Sequence, residues 1–304
     1  MIISIDHGNK QIKTAHRTFV SGLTETKVRP ALGEDFIKYN DSYYTLTDHR
    51  LAYQRDKSND ESFFLLTLFG VASEIQDVGA YDPTHVISVD LLIGLPPAHY
   101  GAQYKSFEQY FERDVIDFEF GSRPFSIYFN SATAYPQAYA AAMTVFSQIR
   151  PLSKCVVIDI GGYTADYLIL KYGAPDMASC SSLEHGVILL YNQVINAVNS
   201  AYDLLLDESD VDSVLRGCNE DIADDIQNFI CEQTQIFVED LFSQLRELLI
   251  DLRVTRAIFV GGGSILLKPY IEKSPKVGKA IFVDDINANA KGYEVLFKVQ
   301  HVKG

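Results

Sequence analysis

The chain has 304 residues, of which 47% are hydrophobic and 22% charged, and its formal net charge is −14. These proportions are typical of a folded globular protein long enough for two domains, and they exclude an intrinsically disordered chain. The surplus of acids disfavours direct contact with the phosphate backbone of a nucleic acid. No apolar run approaches the roughly 20 residues that a membrane-spanning helix needs, which argues against a membrane protein.

Cysteine spacing and charge distribution further limit the class of protein and its cellular compartment. Four cysteines show no C-x-x-C spacing, and the chain opens on an apolar strand. We therefore expect a reduced, cytoplasmic protein without structural zinc. Nine acids between Asp203 and Asp225, Glu220 among them, face a single base, Arg216. Such a run is most simply a solvated helix surface, and any connection to DNA should then pass through a basic partner.

In chain order, the first predicted strand runs into Asp6-His7-Gly8, and residues 11–16 form its hairpin partner. A smaller inserted unit is expected from about 33 to 83, with a strand at 43–46 and a helix from about 60 to 75. The main sheet resumes at 85–94, before a helix at 100–111 and a strand at 125–129. Pro136-Gln137 then leads into an alanine-rich helix at 138–148.

The second half repeats this pattern. Strands at 155–160, 166–170 and near 177–182 form a meander, which a helix from about 187 follows. A long helix with an apolar stripe from Phe237 to Leu252 leads to a strand at 257–260. The order strand, strand, strand, helix, strand, helix thus occurs twice. We predict domains at 1–150 and 151–287, with a helical subdomain at 187–253 and residues 288–304 packing back on the first domain.

Each half begins with an apolar strand that ends in Asp-x-Gly, at Asp6-His7-Gly8 and at Asp159-Ile160-Gly161-Gly162. Glycines in a tight turn allow backbone N–H groups to close on a phosphate oxygen, while the carboxylate handles the accompanying metal ion. Either turn alone could be an ordinary hairpin turn, since Asp and Gly are common turn residues. Both together favour two phosphate loops that clamp a polyphosphate.

A third glycine-rich element, Gly261-Gly262-Gly263-Ser264, follows a predicted buried strand and opens a helix. A helix N-terminus favours negative charge or a polar ring edge, although a flexible strand-to-helix turn explains the same residues. The chain contains no G-x-x-x-x-G-K-[ST] sequence, which excludes a P-loop enzyme.

Two histidines lie close to these motifs. The side chain of His7 should point away from that of Asp6, because side chains alternate along a strand, and its role should be structural. His185 should pack near the ligand rather than react with it.

Together these motifs resemble the actin-like ATPase superfamily. The resemblance rests on Asp6-x-Gly8, Pro136-Gln137, the segment from Asp159 to Asp166, Gly261-Gly262-Gly263 and the segment from Asn287 to Tyr293. Their order and spacing cover nearly the whole chain. Within the superfamily, the chain looks most like the ParM-type plasmid-segregation actins. The resemblance implies an α/β actin-like fold of duplicated ribonuclease-H-like βββαβα units, with nucleotide in the cleft between domains.

The resemblance also implies roles for individual residues. Gln137 would orient the attacking water, Asp6 and Asp159 would hold hydrated Mg²⁺, and Asp166 would support hydrolysis. The segment from Asn287 to Gly292 would connect the domains. The first phosphate loop would contribute Gly8, Asn9, Lys10, Gln11 and Lys13 to nucleotide binding. The second phosphate loop would contribute Gly161, Gly162, Tyr163 and Thr164. The residues near the adenosine would be Gly186, Gly261, Gly262, Gly263 and Ser264. Asn9 and Lys10 replace the more usual Ser or Thr, which leaves the γ-phosphate contact open.

The leading hypothesis is an ATPase that forms filaments with bound ATP and moves plasmid DNA through a basic adaptor protein, without binding nucleic acid or membrane itself. GTP stays open as an alternative nucleotide. A small-molecule kinase of the same fold is the main alternative, although the sequence shows no acceptor base or additional domain. A chaperone-type ATPase would need a peptide-binding domain, for which the length leaves no room. A membrane-tethered actin would need an amphipathic anchor, for which residues 297–304 are too short.

Overall fold

The computed structural model describes residues 1–31, 35–218 and 221–302. The chain divides into two compact units, one formed by Met1–Thr144 with Ile286–Gly304 and the other by Val145–Asp285. The expected start of the inserted unit at residue 33, the acid Glu220 and the last two residues lie outside the described residues.

The first unit contains a nine-stranded sheet with the order β3-β2-β1-β7-β9-β8-β5-β6-β4. Its strands are β1 (Ile2–His7), β2 (Gln11–Thr14), β3 (Thr18–Val20), β4 (Leu23–Thr26), β5 (Phe36–Tyr39), β6 (Ser42–Leu46), β7 (Ile87–Leu95), β8 (Ile116–Phe120) and β9 (Arg123–Pro136). Its helices are α1 (Ser62–Asp77), α2 (Pro97–Gln109), α3 (Tyr139–Met143) and α9 (Ala288–Val302).

The second unit contains a five-stranded sheet with the order β12-β11-β10-β13-β14. Its strands are β10 (Lys154–Ile160), β11 (Ala165–Lys171), β12 (Ala174–Leu183), β13 (Arg256–Val260) and β14 (Ala280–Phe282). Its helices are α4 (Phe146–Ile149), α5 (Val187–Tyr202), α6 (Glu208–Leu215), α7 (Asp224–Glu247) and α8 (Gly262–Lys273).

The two sheets share one topology, which confirms the predicted duplication. In each unit three antiparallel strands form a meander, a fourth strand pairs in parallel with the first, and a fifth pairs in parallel with the fourth. The first unit continues beyond this shared part, because β8 pairs with β9 and carries β5, β6 and β4 on the same sheet.

Apolar runs explain which elements lie at the centre of each unit. The strands β1, β7, β10 and β13 carry nearly continuous apolar residues, as strands covered on both faces require. In the first unit α1 buries twelve of its 16 residues. In the second, α5 and α7 pack one apolar stripe each against the sheet. Among the described helices, none has the combined length and apolar character that crossing a bilayer requires.

Three element predictions were wrong in extent. The helix expected at 138–148 is two short helices, α3 and α4, because Val145 adopts φ −116° and ψ 27° outside the helical range. The strand expected at 125–129 runs from Arg123 to Pro136. The long helix ends at Glu247, so that Leu248 and Leu252 lie beyond it.

The end of α7 has a clear cause. Leu249 adopts φ 63°, and its N–H donates to the carbonyl of Arg246 at 3.0 Å. The N–H of Ile250 donates to the carbonyl of Leu245 at 2.9 Å. These two bonds form a Schellman motif, in which a leucine takes the left-handed position that usually holds glycine. Hydrophobic periodicity does not detect such a stop, since the apolar residues continue past it.

Candidate functional site

The first candidate turn joins β1 to β2. Asp6 lies directly opposite Lys13 in this antiparallel pair. A Cβ atom at Gly8 would lie 2.5 Å from the backbone oxygen of Gln11. The turn itself therefore demands glycine at position 8, whether or not a ligand is bound.

Asp6 is buried and is held by three side chains of its own unit. Gln137 Nε2 donates to Asp6 Oδ1 at 2.5 Å, and Asn289 Nδ2 donates to Oδ2 at 3.5 Å. Lys13 Nζ lies 4.0 Å from Oδ2. Because a carboxylate only accepts hydrogen bonds, the amide nitrogen of Gln137 must face Asp6. The amide oxygen of Gln137 is left as the atom that can accept a hydrogen bond from water.

A segment that the sequence analysis did not single out packs on the first turn. The N–H of Gln54 donates to Asn9 Oδ1 at 3.5 Å, and the ammonium of Lys57 donates to the carbonyl of His7. Lys57 is only 4% exposed. A buried cation beside this turn favours an anion there. The sequence around Lys57 looks like a charged surface loop, so only its three-dimensional contacts reveal the role.

The second candidate turn joins β10 to β11, and here the paired residues carry like charges. Asp159 lies directly opposite Asp166, and the two residues are 8% and 7% exposed. Thr164 Oγ1 donates to Asp166 Oδ2 at 3.2 Å, and the hydroxyl of Ser182 donates to Oδ1. Like charges directly opposite each other are destabilising unless a cation compensates them.

Helix α5 orients the backbone of the second turn. The N–H groups of Gly186, Val187 and Ile188 donate to the carbonyls of Tyr163, Gly161 and Gly162 at 3.1, 3.1 and 2.9 Å. Within the part of the chain that the structure describes, the N–H groups of Gly162 and Thr164 donate to no backbone carbonyl. The turn's carbonyls are thus occupied by the start of α5, and the N–H groups of Gly162 and Thr164 are the donors that an anion could use.

Two of the predicted binding glycines of this region, Gly161 and Gly186, differ in the reason for which the position holds glycine. At Gly186 a Cβ atom would overlap the backbone of Gly162 and Tyr163, so that close packing requires glycine. A Cβ atom at Gly161 would meet only the oxygen of Thr164, at 3.4 Å, and Gly161 does not have a positive φ. Nothing in the described fold requires glycine at position 161. The space beside it suits an approaching ligand.

The glycine run after β13 brings α8 against the end of β10. Gly261 adopts φ 87°, and a Cβ atom there would overlap the carboxylate of Asp159. A Cβ atom at Gly263 would lie 2.6 Å from Cγ2 of Ile160. These contacts explain both glycines by packing. Ser264 is 1% exposed, and its hydroxyl has no hydrogen-bond partner among the described residues. Such an orphaned hydroxyl at a helix N-terminus suits a polar ligand atom.

Both singled-out histidines are buried. His7 packs among Phe63, Phe107 and Phe111, and burial lowers its pKa well below the ordinary value. Its Nε2 lies 2.7 Å from the hydroxyl of Thr67, which itself donates to the carbonyl of Phe63 at 2.7 Å. His7 and Thr67 thus form a buried polar pair inside the first unit. The interior position agrees with the expected structural role.

His185 is also held inside its own unit. Its ring stacks on Phe237 with 4.0 Å between centroids, and its Nε2 lies 3.0 Å from the Phe237 carbonyl. Burial lowers the pKa of His185. These contacts make it a support for the residues that precede α5.

Comparison with known proteins adds a family match and structural neighbours. Residues 157–273 match the family model described as archaeal actin homologue MreB-like, C-terminal. No curated protein matches the chain by sequence. The structure of Ta0583, an archaeal actin homologue, is 18% identical and covers 98% of this chain and 99% of its own, with a TM-score of 0.79.

Two filament structures show the same similarity. A ParM from a 15-stranded filament of Clostridium botulinum is 18% identical, covers 98% of this chain and 99% of its own, and has a TM-score of 0.73. AlfA, from a filament bound to AMPPNP, is 15% identical, covers 100% and 98%, and has a TM-score of 0.66. Ta0583 is also known in complex with ADP. The chain thus has the actin-like fold, as the resemblance implied.

Proposed function

We propose that this actin-fold chain binds ATP and Mg²⁺, hydrolyses the nucleotide slowly and assembles into filaments. One observation carries the proposal: each unit repeats the same hairpin, with a buried acid opposite a charged partner and glycine in the turn. The actin fold and the nucleotide complexes of Ta0583 and AlfA support it. All the predicted nucleotide contacts, from Gly8 to Ser264, are part of this proposal.

In the proposed reaction, Gln137 orients the attacking water. Its amide nitrogen donates to Asp6 at 2.5 Å, and its amide oxygen can therefore accept a hydrogen bond from the water. Hydrolysis of a phosphoanhydride requires positioning and charge stabilisation more than covalent chemistry. An amide is no strong base, which accounts for a slow turnover.

The residues of the second hairpin fit a hydrated Mg²⁺. Mg²⁺ keeps several waters and binds through one or two carboxylates together with phosphate oxygens. Asp159 and Asp166 supply two buried carboxylates at directly opposite positions of adjacent strands. When bound, the ion would neutralise phosphate charge. Asp6 stays a predicted ligand, although both of its oxygens already accept hydrogen bonds within the first unit.

Phosphate release with and without Mg²⁺ tests the enzymatic part directly. We expect slow, magnesium-dependent release of phosphate from ATP. A protein that binds ATP in the presence of Mg²⁺ but releases no phosphate would contradict hydrolysis. Transfer of the phosphate to an added metabolite would instead support the kinase.

The assembly part of the proposal is tested by electron microscopy with ATP, GTP and no nucleotide. We expect filaments with ATP and none without nucleotide, and the GTP sample decides whether the protein discriminates between the bases. Identical particles in all three samples would contradict nucleotide-driven assembly.

We include in the proposal that the filaments act in the cytoplasm and move plasmid DNA through a basic adaptor. The predicted acidic run is partly structural, since Asp207 and Asp210 form the capping box of α6 and Asp212 pairs with Arg216 at 2.5 Å. Exposed acids such as Asp221, Asp224 and Asp225 still oppose direct DNA binding. Filaments alone should therefore not sediment DNA at low salt. DNA in the pellet without an adaptor would refute this part.

A further inference from the structure

The chain around Gln137 contains a backbone conformation that alanine rarely adopts. Ala138 has φ 59° and ψ −54°, and the N–H of Tyr139 donates to the carbonyl of Gln137 at 2.5 Å. This is a γ-turn with its central residue at positive φ, a rare and strained form for a residue with a Cβ atom. The strain falls immediately after the side chain proposed to orient water.

One side chain holds this turn in place. Asn289 Oδ1 accepts from the N–H of Ala138 at 3.0 Å, while its Nδ2 donates to Asp6 Oδ2 at 3.5 Å. Asn289 is 7% exposed, and neither contact can be reversed, since a backbone N–H only donates and a carboxylate only accepts. The two ends of a single amide therefore join the turn to the acid that binds Gln137.

The backbone of α9 fixes the position of Asn289. A Cβ atom at Gly292 would overlap the backbone of Ala140, so that glycine lets α9 lie directly against α3. Tyr293 is fully buried in the same region and stacks on Tyr135, with 6.0 Å between ring centroids. Asn289 thus extends from the first turn of a helix that is packed against α3.

We propose that Asn289 is a positioning residue that holds the Ala138 turn in its strained form and thereby sets the amide of Gln137. This inference rests on the proposed function, because it concerns the same hydrolytic step. Asn289 does not touch the nucleotide in this account. Its loss should let the turn relax and misplace Gln137, which lowers turnover and leaves nucleotide affinity nearly unchanged.

The test compares Asn289→Ala with the double variant Asn289→Ala/Ala138→Gly. Glycine adopts positive φ without the Cβ penalty, so it should keep the turn when the asparagine contact is lost. We expect Asn289→Ala to lower kcat about tenfold with an ATP affinity within about threefold of wild type. The double variant should recover at least half of that loss on a logarithmic scale.

A matched control separates positioning from general stability. Asn199 Oδ1 accepts from the N–H of Leu206 at 3.0 Å in the second unit, a contact of the same kind. Asn199→Ala should lower the melting temperature without the selective loss of kcat. Hydrogen exchange of the peptide that carries the Ala138 amide should become faster in Asn289→Ala but not in Asn199→Ala. This readout does not depend on any enzymatic activity.

The outcomes distinguish the inference from the function on which it rests. A wild-type protein without ATP hydrolysis would overturn the proposed function, whatever the exchange data show. Hydrolysis in the wild type with unchanged kcat in Asn289→Ala would overturn the inference alone. So would a loss of kcat that Ala138→Gly does not restore, or equal effects of the Asn199 and Asn289 variants on kcat.

Discussion

The two hairpins share a backbone frame but not a charge pattern. Asp6 faces Lys13 across the first hairpin, whereas Asp159 faces Asp166 at the same position of the second. In the first hairpin the lysine helps to balance the acid, and Gln137 and Asn289 occupy both carboxylate oxygens. In the second, two buried carboxylates face each other. The duplication thus provides one turn suited to orienting water and one suited to a cation.

The glycines of the two turns also differ, because the fold requires one of them and not the other. Gly8 is required by the backbone of its own turn, while Gly161 has space beside it that the described fold does not use. The first turn is also covered by the segment that carries Lys57, whereas the second is oriented by α5. A glycine that packing does not explain is the stronger indication of a ligand.

The largest expected effect comes from the second hairpin. Asp159→Ala should lower the rate of hydrolysis at least about a hundredfold, since one preorganised electrostatic group stabilises a transition state by about 2–4 kcal/mol. Phosphate release at saturating ATP and Mg²⁺ measures the change. Asp176→Ala, on strand β12 of the same sheet, serves as the control, because Asp176 pairs with Lys171. Near-normal turnover of the Asp159 variant would remove Asp159 from the site.

The corresponding change in the first unit should separate binding from chemistry. Gln137→Ala should slow hydrolysis about ten- to a hundredfold with nearly intact ATP affinity, because an orienter of water acts in the transition state. Single-turnover rates and a binding titration measure the two quantities. If the variant no longer binds ATP, Gln137 belongs to the binding residues or to the fold instead.

The charge difference between the hairpins predicts different magnesium responses. Asp166→Asn removes one of the facing charges and should raise the Mg²⁺ concentration for half-maximal hydrolysis about tenfold. Lys13→Gln should instead weaken ATP binding, since it removes a cation beside the first turn. Magnesium titrations of both variants test the contrast. The same shift in both would show that the charge pattern does not divide the roles.

Alanine variants of Gly8 and Gly161 allow the two turns to be compared by their free energies of unfolding. Gly8→Ala should lower the free energy of unfolding by about 1–3 kcal/mol, because its Cβ atom would lie 2.5 Å from the Gln11 oxygen. Gly161→Ala should change the stability of the nucleotide-free protein by less than about 0.5 kcal/mol and yet weaken ATP binding. Urea unfolding without nucleotide and a binding titration distinguish the two. A strongly destabilised Gly161→Ala would give that glycine a purely structural role.

The smallest effect concerns acid stability, where the two units should behave alike. Burial lowers the pKa of His7 and of His185, so both are neutral when folded and protonate near pH 6.5 when unfolded. The free energy of unfolding is therefore not reduced by these histidines above about pH 6.5. It falls as the pH drops from there towards their lower pKa values in the folded protein. Each histidine should cost at most about 1.4 kcal/mol at pH 5.5.

Urea unfolding at pH 7.5 and 5.5 checks this pH dependence. His7→Phe and His185→Phe should each reduce the difference in the free energy of unfolding between the two pH values. An unchanged difference in His7→Phe would show that His7 does not titrate on unfolding.

Much of the fold was predictable because periodicity and turn residues report local structure. The repeated strand order, the helix α5 and the two Asp-x-Gly turns all follow from such patterns. The break between α3 and α4 and the stop at Leu249 depend on single backbone conformations, to which apolar periodicity is insensitive. The strand β8 was also missed.

The candidate site also combines residues that the sequence identifies with contacts that only the structure reveals. Asp6 and Asp159 stand out because each follows an apolar run and precedes glycine, whereas Gln137 was identified only through the resemblance. Lys57 and the contacts of Asn289 depend on side chains that are distant in sequence, 50 residues from His7 and 283 residues from Asp6. No local pattern encodes such contacts. The packing reasons for Gly186, Gly261 and Gly263 likewise appear only in three dimensions.

Sedimentation with ATP or a slowly hydrolysed analogue tests the central claim most directly. If the nucleotide-bound form assembles, the soluble pool should stay constant as total protein rises, and all protein should stay soluble without nucleotide. This constant pool is the critical concentration for assembly. Gly161→Val, whose side chain would fill the space beside the second turn, should abolish the nucleotide-dependent assembly. A wild-type protein that stays monomeric at tens of micromolar with every nucleotide, while phosphorylating an added metabolite, would contradict the account and establish the kinase.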